Sequence, residues 1–283
     1  MNISEMDPAT MRVAGDEAAV SYGVTMGSFA TRIWLMVQQN PLAWALIGVW
    51  ALGMMSLPIV LWTVGDAFLP NAVTLTTGLQ AAAVVVVLGK AWGWRRTVVT
   101  MITIAVLGWL VEYVGSTTGI PFGVYGYTAR LQPQVAGVPL LIPVAWFILM
   151  PCAWTVAGSI AGQRRWLFVL LSVAAFVAWD LFLDPQMVTW DFWRWSQVGG
   201  YFGIPWSNYV GWGLAALVMT LVVRPSDKVL LPLLVVYGLT WFFEAFGLLF
   251  FWGLVGPALV GGIVMGGFLV AAVWKMRQTV TVL

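Results

Sequence analysis

The stretch RRWLFVLLSVAAFVAWDLFLDP (Arg164–Pro185) opens on two cations, runs apolar for a span's length and meets Asp180 and Asp184 at its far end. Between Trp166 and Leu183 only Ser172 and Asp180 are polar. That run is close to the ~20 residues a helix needs to cross a bilayer core. Reading outward, seven more apolar stretches follow the same rule: Leu42–Val64, Ala72–Gly89, Thr97–Val114, Val138–Ala161, Asn208–Val223, Val229–Trp252 and Leu254–Trp274. The expected fold is all-α, a polytopic integral membrane protein of about eight transmembrane helices with two longer aromatic, Gly/Pro-rich outer loops. A tail over 1–40, one helical domain over 41–276 and a short cytoplasmic end over 277–283 complete it. Composition agrees: 61% of the 283 residues are hydrophobic, 8% are charged and the mean hydropathy is +0.92. A soluble domain carries about 25% charged residues. Nucleic-acid binding, a disordered scaffold and an ordinary cytosolic enzyme are poor fits.

The tail has a mildly acidic, Gly/Ala/Ser-rich composition and does not read as a signal peptide. Residues Ile33–Gln38 are expected to form a short interfacial helix. Pro58, Pro143, Pro151, Pro232 and Pro257 should kink or start helices, and Gly262 with Gly266 reads as a packing notch in the last span.

Loop charge gives the orientation. Arg12, Arg32, Lys90, Arg95, Arg96, Arg164, Arg165, Arg224, Lys228, Lys275 and Arg277 fall on one side, 11 of the 13 basic residues, and only Arg130 and Arg194 on the other. The positive-inside rule then makes both termini cytoplasmic in a multi-pass cell-membrane protein, with loops 115–137 and 184–207 on the outer face.

The chain has no histidine and one cysteine, Cys152. A histidine-ligated metal or haem, a Ser-His-Asp triad and an internal disulfide are excluded. Chemistry must therefore run on carboxylates, hydroxyls and aromatic rings. Of the 11 acids, four are embedded: Glu112 in span three, Asp180 and Asp184 at the end of span five, and Glu244 in span seven. All belong to spans running in the same direction, so they are expected at similar depth in the outer leaflet. An embedded acid can simply pair with a tyrosine or backbone group. Four at one level, with no cation inside a span to neutralise them, point to function. Asp180 and Asp184, at i and i+4, share a helix face. Repulsion and burial disfavour ionising both, so one is expected to keep a proton, the state a general acid needs.

Two echoes run through the chain. W-x-x-E-x-x-G occurs at Trp109-Leu-Val-Glu112-Tyr-Val-Gly115 and again at Trp241-Phe-Phe-Glu244-Ala-Phe-Gly247; Gly-Ile-Pro opens both Gly119–Tyr125 and Gly203–Tyr209. The first pair hints at a 4+4 parallel repeat; the second does not share its offset, and chance recurrence in a low-diversity sequence stays open. The outer loops also hold the densest aromatic cluster: Tyr113, Phe122, Tyr125 and Tyr127, then Trp179, Trp190, Trp193, Trp195, Tyr201, Trp206, Tyr209 and Trp212. Part of it is an interfacial belt. The rest fits a pocket wall, since aromatic faces stabilise a cation most where water is excluded, with the Gly/Pro-rich loops as a lid or rim.

Phosphoryl and hydride transfer lack their usual motifs. A retinal-type lysine inside a late span and a D-x-x-D diphosphate motif are absent as well. Proton chemistry on an apolar substrate, or proton-coupled transport, remains. Protonation of an alkene by a desolvated carboxylic acid, with aromatics shielding the cation and water quenching it, suits this residue set.

The stretch Glu112–Tyr127 (EYVGSTTGIPFGVYGY), Asp180-Leu-Phe-Leu-Asp184-Pro-Gln-Met187-Val and Gly203-Ile-Pro-Trp-Ser-Asn-Tyr-Val-Gly-Trp212 together resemble the CruF-type carotenoid 1′,2′-hydratases. That family includes γ-carotene 1′-hydroxylase and bisanhydrobacterioruberin hydratase. The resemblance runs from span three to span six. It implies a cofactor-independent hydratase that adds water across the terminal C1′=C2′ bond of an acyclic (ψ) carotenoid end, giving a tertiary 1′-hydroxyl. Implied partners are a carotenoid such as γ-carotene or a lycopene derivative, the lipid bilayer and other membrane enzymes of the pathway, with no nucleic acid.

Roles follow from the residues themselves. One of Glu112, Asp180 or Asp184 is expected to protonate C2′, and a second carboxylate to orient or deprotonate water. Glu244 is an embedded partner or a structural acid. Trp109, Tyr113, Phe122, Tyr125, Tyr127, Trp179, Trp206, Tyr209 and Trp212 are candidate substrate walls, and Asn208 a water holder. No metal site is expected. A lycopene-type cyclase would use the same protonated end but close a ring. A transporter would need carboxylates reachable from both faces.

Overall fold

The computed structural model describes residues 37–226 and 229–281. The tail up to residue 36, with Ile33–Met36 of the expected interfacial helix, lies outside them. Among the described residues, eight helices are long and apolar enough to cross a membrane. They are α1 (Pro41–Thr63), α2 (Leu69–Trp92), α3 (Trp94–Thr118), α4 (Leu141–Ala161), α5 (Arg165–Thr189), α6 (Trp206–Val223), α7 (Leu231–Phe250) and α8 (Val255–Thr281). The protein is an all-α polytopic membrane protein.

Consecutive helices run antiparallel, so Lys90, Arg95, Arg96, Arg164, Arg165, Arg224, Lys275 and Arg277 gather at one end of the bundle. The two long connections gather at the other, called here the loop-rich end. α4 sits at the centre. It is apolar all round and buried along most of its length, as such a helix must be. It packs on α2, α3, α5, α7 and α8.

Two local features shape the loop-rich end. Read from sequence, span five stops at Leu183, but α5 continues through Pro185 to Thr189. A proline removes the N–H that would bond the carbonyl four residues back, here that of Leu181. The Tyr201 hydroxyl donates to that carbonyl at 3.0 Å and so satisfies it, which keeps Asp184 inside a regular turn. Tyr201→Phe should cost about 1 kcal/mol by orphaning a buried acceptor, read as a lower unfolding temperature in detergent. An unchanged temperature would show that the carbonyl finds another partner.

The second feature is Phe122, wedged between two helices. A Cβ added at Gly115 of α3 or at Gly211 of α6 would overlap its ring. Only glycine permits this approach. Gly211→Ala is expected to cost ~1–3 kcal/mol by overpacking, measured in the same way. Phe122 is thus a spacer holding α3 and α6 in register. On α8, the small-residue notch is occupied by the Trp241 indole of α7, which lies against Gly266 and donates to the Gly262 carbonyl at 2.8 Å.

The loops are zipped together rather than separate. Strands β1 (Tyr125–Tyr127) and β4 (Trp193–Trp195) pair antiparallel, with Tyr125 opposite Trp195, Gly126 opposite Arg194 and Tyr127 opposite Trp193. A short hairpin of β2 (Gln134–Val135) and β3 (Val138–Pro139) lies between them in the chain. Alternate strand residues face one side, so both Y-x-Y and W-x-W turn their aromatic rings toward the bundle. Arg194 turns away and pairs with Asp191 at 2.5 Å.

Candidate active site

Beneath the β1–β4 ribbon lies a small chamber lined by Glu112, Asp184 and Asn208 under the rings of Tyr125, Tyr127, Trp193, Trp195 and Trp212. Glu112 reaches it from the last turns of α3. Its Oε2 accepts from the Tyr125 hydroxyl at 2.5 Å and the Tyr127 hydroxyl at 2.7 Å, and its Oε1 from the Trp146 indole of α4 at 3.1 Å. Burial first, and then the Glu112 carboxyl group, push both tyrosine hydroxyls well above their ordinary range, so they stay protonated and donate to it.

Asp180 and Asp184 stand one turn apart on α5. The Asn208 amide nitrogen, from the first turn of α6, donates to both: to Asp180 Oδ2 at 2.8 Å and to Asp184 Oδ2. Asp184 Oδ1 accepts from the Trp193 indole at 2.7 Å. Asp180 is fully buried, lies behind Asp184 away from the chamber, and its Oδ1 accepts no hydrogen bond. The two cations at this end are engaged elsewhere: Arg130 pairs with Asp66 at 2.8 Å, and Arg194 holds Asp191 below the usual carboxylate range through its hydrogen bonds. Among the described residues, no group of three or more acids or cysteines is arranged to hold a metal ion.

The structure therefore brings three of the four embedded acids together and sets the fourth apart. Glu244 lines a second, larger cavity bounded by α1, α2, α4, α5 and α7. The Trp179 indole lies near it, yet neither that N–H nor Glu244 Oε2 makes a hydrogen bond. The two cavities adjoin: Ile142, Ala145, Leu183 and Trp193 line both. An aromatic stack runs between them. Trp146 and Trp212 have ring centroids 4.5 Å apart, Phe176 stacks on Trp212 at 5.4 Å, and Trp179 meets Trp212 edge-on at 6.0 Å.

The aromatic candidates divide accordingly. Tyr125, Tyr127 and Trp212 line the chamber and Trp179 the larger cavity. Phe122 is the spacer described above. Trp109 and Tyr113 stack on one another at 5.3 Å along the outside of α3 and line neither cavity. Trp206 is largely exposed and packs with Tyr209 against Tyr201, behind Asp180 rather than in front of it. Four residues carry more of the site than their sequence setting suggested: Trp146, Trp193, Trp195 and Gln80. The alternation W-x-W marks two of them. Gln80, a lone amide inside an apolar span, was legible by the rule that singled out the acids. Trp146 has no local mark, because its partner Glu112 is 34 residues away.

A family model described as "Carotenoid biosynthesis protein" matches residues 71–268, which covers α2 to α7 and much of α8. The bisanhydrobacterioruberin hydratase of Haloarcula japonica is 32% identical over 131 residues, 45% of this chain and 44% of that protein. The chain thus matches less than half the length of this relative. No solved structure matches the chain.

Proposed function

Because the chain belongs to the carotenoid biosynthesis protein family, we propose that it is a hydratase adding water across the C1′=C2′ double bond of an acyclic carotenoid end. The similarity to a named hydratase supports the reaction class. One observation carries the chemistry: a chamber in which an Asp180–Asp184 pair shares one amide donor and faces Glu112 under a roof of aromatic rings.

In this reading the polyene lies in the larger cavity and its end group passes Ile142, Ala145, Leu183 and Trp193 into the chamber. Two carboxyls on one amide nitrogen repel when both are ionised, so the pair holds a proton between them. Asp184, the member that lines the chamber, gives that proton to C2′. The π electrons form the new C–H bond and leave the positive charge on C1′, the more substituted carbon. Glu112, which accepts from three donors, is assigned the role of the carboxylate that opposes that charge. Trp193, Trp195 and Trp212 offer their faces to it, worth ~2 kcal/mol or more where water is excluded. A water oxygen then bonds C1′, and its surplus proton returns to the aspartate pair, which ends as it began. No cofactor enters this scheme.

The same reading sets the loop-rich end on the outer face of a cell membrane and both termini in the cytoplasm, because the basic residues cluster at the opposite end. Expression beside a lycopene or γ-carotene supply should yield pigment heavier by one water with a tertiary 1′-hydroxyl. A ring-bearing product with no oxygen would assign the chamber to cyclisation instead.

A further inference from the structure

The larger cavity is apolar over most of its wall, with Met54, Leu57, Val73, Ile148, Met187 and Trp190 among its residues. A hydrocarbon needs nothing else. Yet Gln80 of α2 and Thr240 and Glu244 of α7 line it too, each more than nine-tenths buried. Burying an amide, a hydroxyl and a carboxyl costs free energy unless their hydrogen bonds are made.

Packing accounts for part of this patch. Gln80 Nε2 donates to Thr240 Oγ1 at 3.1 Å, and Thr240 donates to the Val236 carbonyl at 2.9 Å, which ties α2 to α7. It leaves Gln80 a second N–H. It also leaves Glu244, whose Oε2 takes no hydrogen bond from the protein. A donor and an acceptor on one wall of an apolar cavity match a group that both accepts and donates. A hydroxyl does both.

We propose that Gln80, Thr240 and Glu244 form a binding site for one neutral O–H group, supplied either by a hydroxyl on the polyene or by the reacting water. The site rests on the hydratase reading for its occupant. An alcohol on the chain would make this a specificity subsite, holding oxygenated carotenoids in register with the chamber next door. Water held there would stand beside the junction of the two cavities, where the end group passes.

The test uses the full-length protein in membranes with Glu244→Leu, supplied in deuterated water with lycopene or with an acyclic carotenoid bearing one hydroxyl in the same end group. If the occupant is the substrate's hydroxyl, the variant loses tenfold or more only on the hydroxylated carotenoid, chiefly through KM. If it is water, alcohol formation falls on both substrates while deuterium still enters recovered carotenoid. In that case C2′ is protonated, no water captures the cation, and a proton is lost again from C2′ or a methyl. Gln80→Leu should repeat either pattern more weakly, and carries the test if Glu244→Leu does not accumulate. Alcohol formation within threefold of the parent on both substrates would overturn the site. So would loss of both alcohol and deuterium uptake in folded protein, since Glu244 would then act in the protonation step. Failure of the unaltered protein to hydrate either carotenoid would instead count against the hydratase reading itself.

Discussion

Asp184→Asn is expected to lower 1′-hydroxyl formation roughly 10²–10⁴-fold, the usual contribution of a positioned general acid. The change is nearly isosteric and keeps the helical turn that Tyr201 supports. It removes the one aspartate that lines the chamber, and leaves Asp180 behind it with no path to C2′. The new side-chain carbonyl can accept from the Asn208 amide or from the Trp193 indole but not from both, so its NH₂ meets the other donor, and thermal stability in detergent is the control for that lost bond. Asp180→Asn should therefore be milder, because it changes the proton shared by the pair and not the group that delivers it. Carotenoids extracted from cells expressing each variant at matched protein level, separated by chromatography, give the comparison. Equal losses for the two would mean that the pair acts as a single unit; an active Asp184→Asn would remove Asp184 as the acid.

Glu112→Gln should cost about 10²-fold, in the range seen when a group aimed at transition-state charge is removed. Glu112 is held by two tyrosine hydroxyls and one indole. An amide oxygen can keep the two tyrosine bonds or the indole bond but not all three, its NH₂ meets the remaining donor, and it brings no negative charge to the cation at C1′. Tyr127→Phe keeps the charge and removes one donor, so a much smaller loss there would separate electrostatics from packing. Both are read as hydration rate on one carotenoid, with thermal stability in detergent as the control.

Much of this arrangement was legible from the chain, and what was not has a common physical cause. Depth along a span can be counted, so the eight helices, the clustering of cations at one end and the level of Glu112, Asp180 and Asp184 followed from residue order. Rotation of one helix against its neighbours cannot be counted. Glu244 shares the W-x-x-E-x-x-G setting of Glu112, yet it faces the α1–α2 side of α4 while Glu112 faces the chamber. The same limit placed Trp109, Tyr113, Trp206 and Tyr209 among the wall candidates, where hydropathy alone cannot separate a ring facing lipid or a neighbouring loop from one facing a cavity. Span five runs on past Leu183 because the hydroxyl that satisfies the carbonyl left open by Pro185 comes from Tyr201, 20 residues beyond Leu181. The aromatic roof was half visible: alternation in Y-x-Y and W-x-W marks strands, but the pairing of Tyr125 with Trp195 and Tyr127 with Trp193 is a long-range fact.

The central claim is that the oxygen and one carbon-bound hydrogen of the product come from water, placed by acid chemistry at one double bond. Incubating membranes that contain the protein with lycopene, in water enriched in both deuterium and heavy oxygen, tests it directly. The expected product carries one deuterium on C2′ and one heavy oxygen on C1′, with or without dioxygen present. Incorporation of oxygen from dioxygen, or a product without the deuterium at C2′, would contradict it.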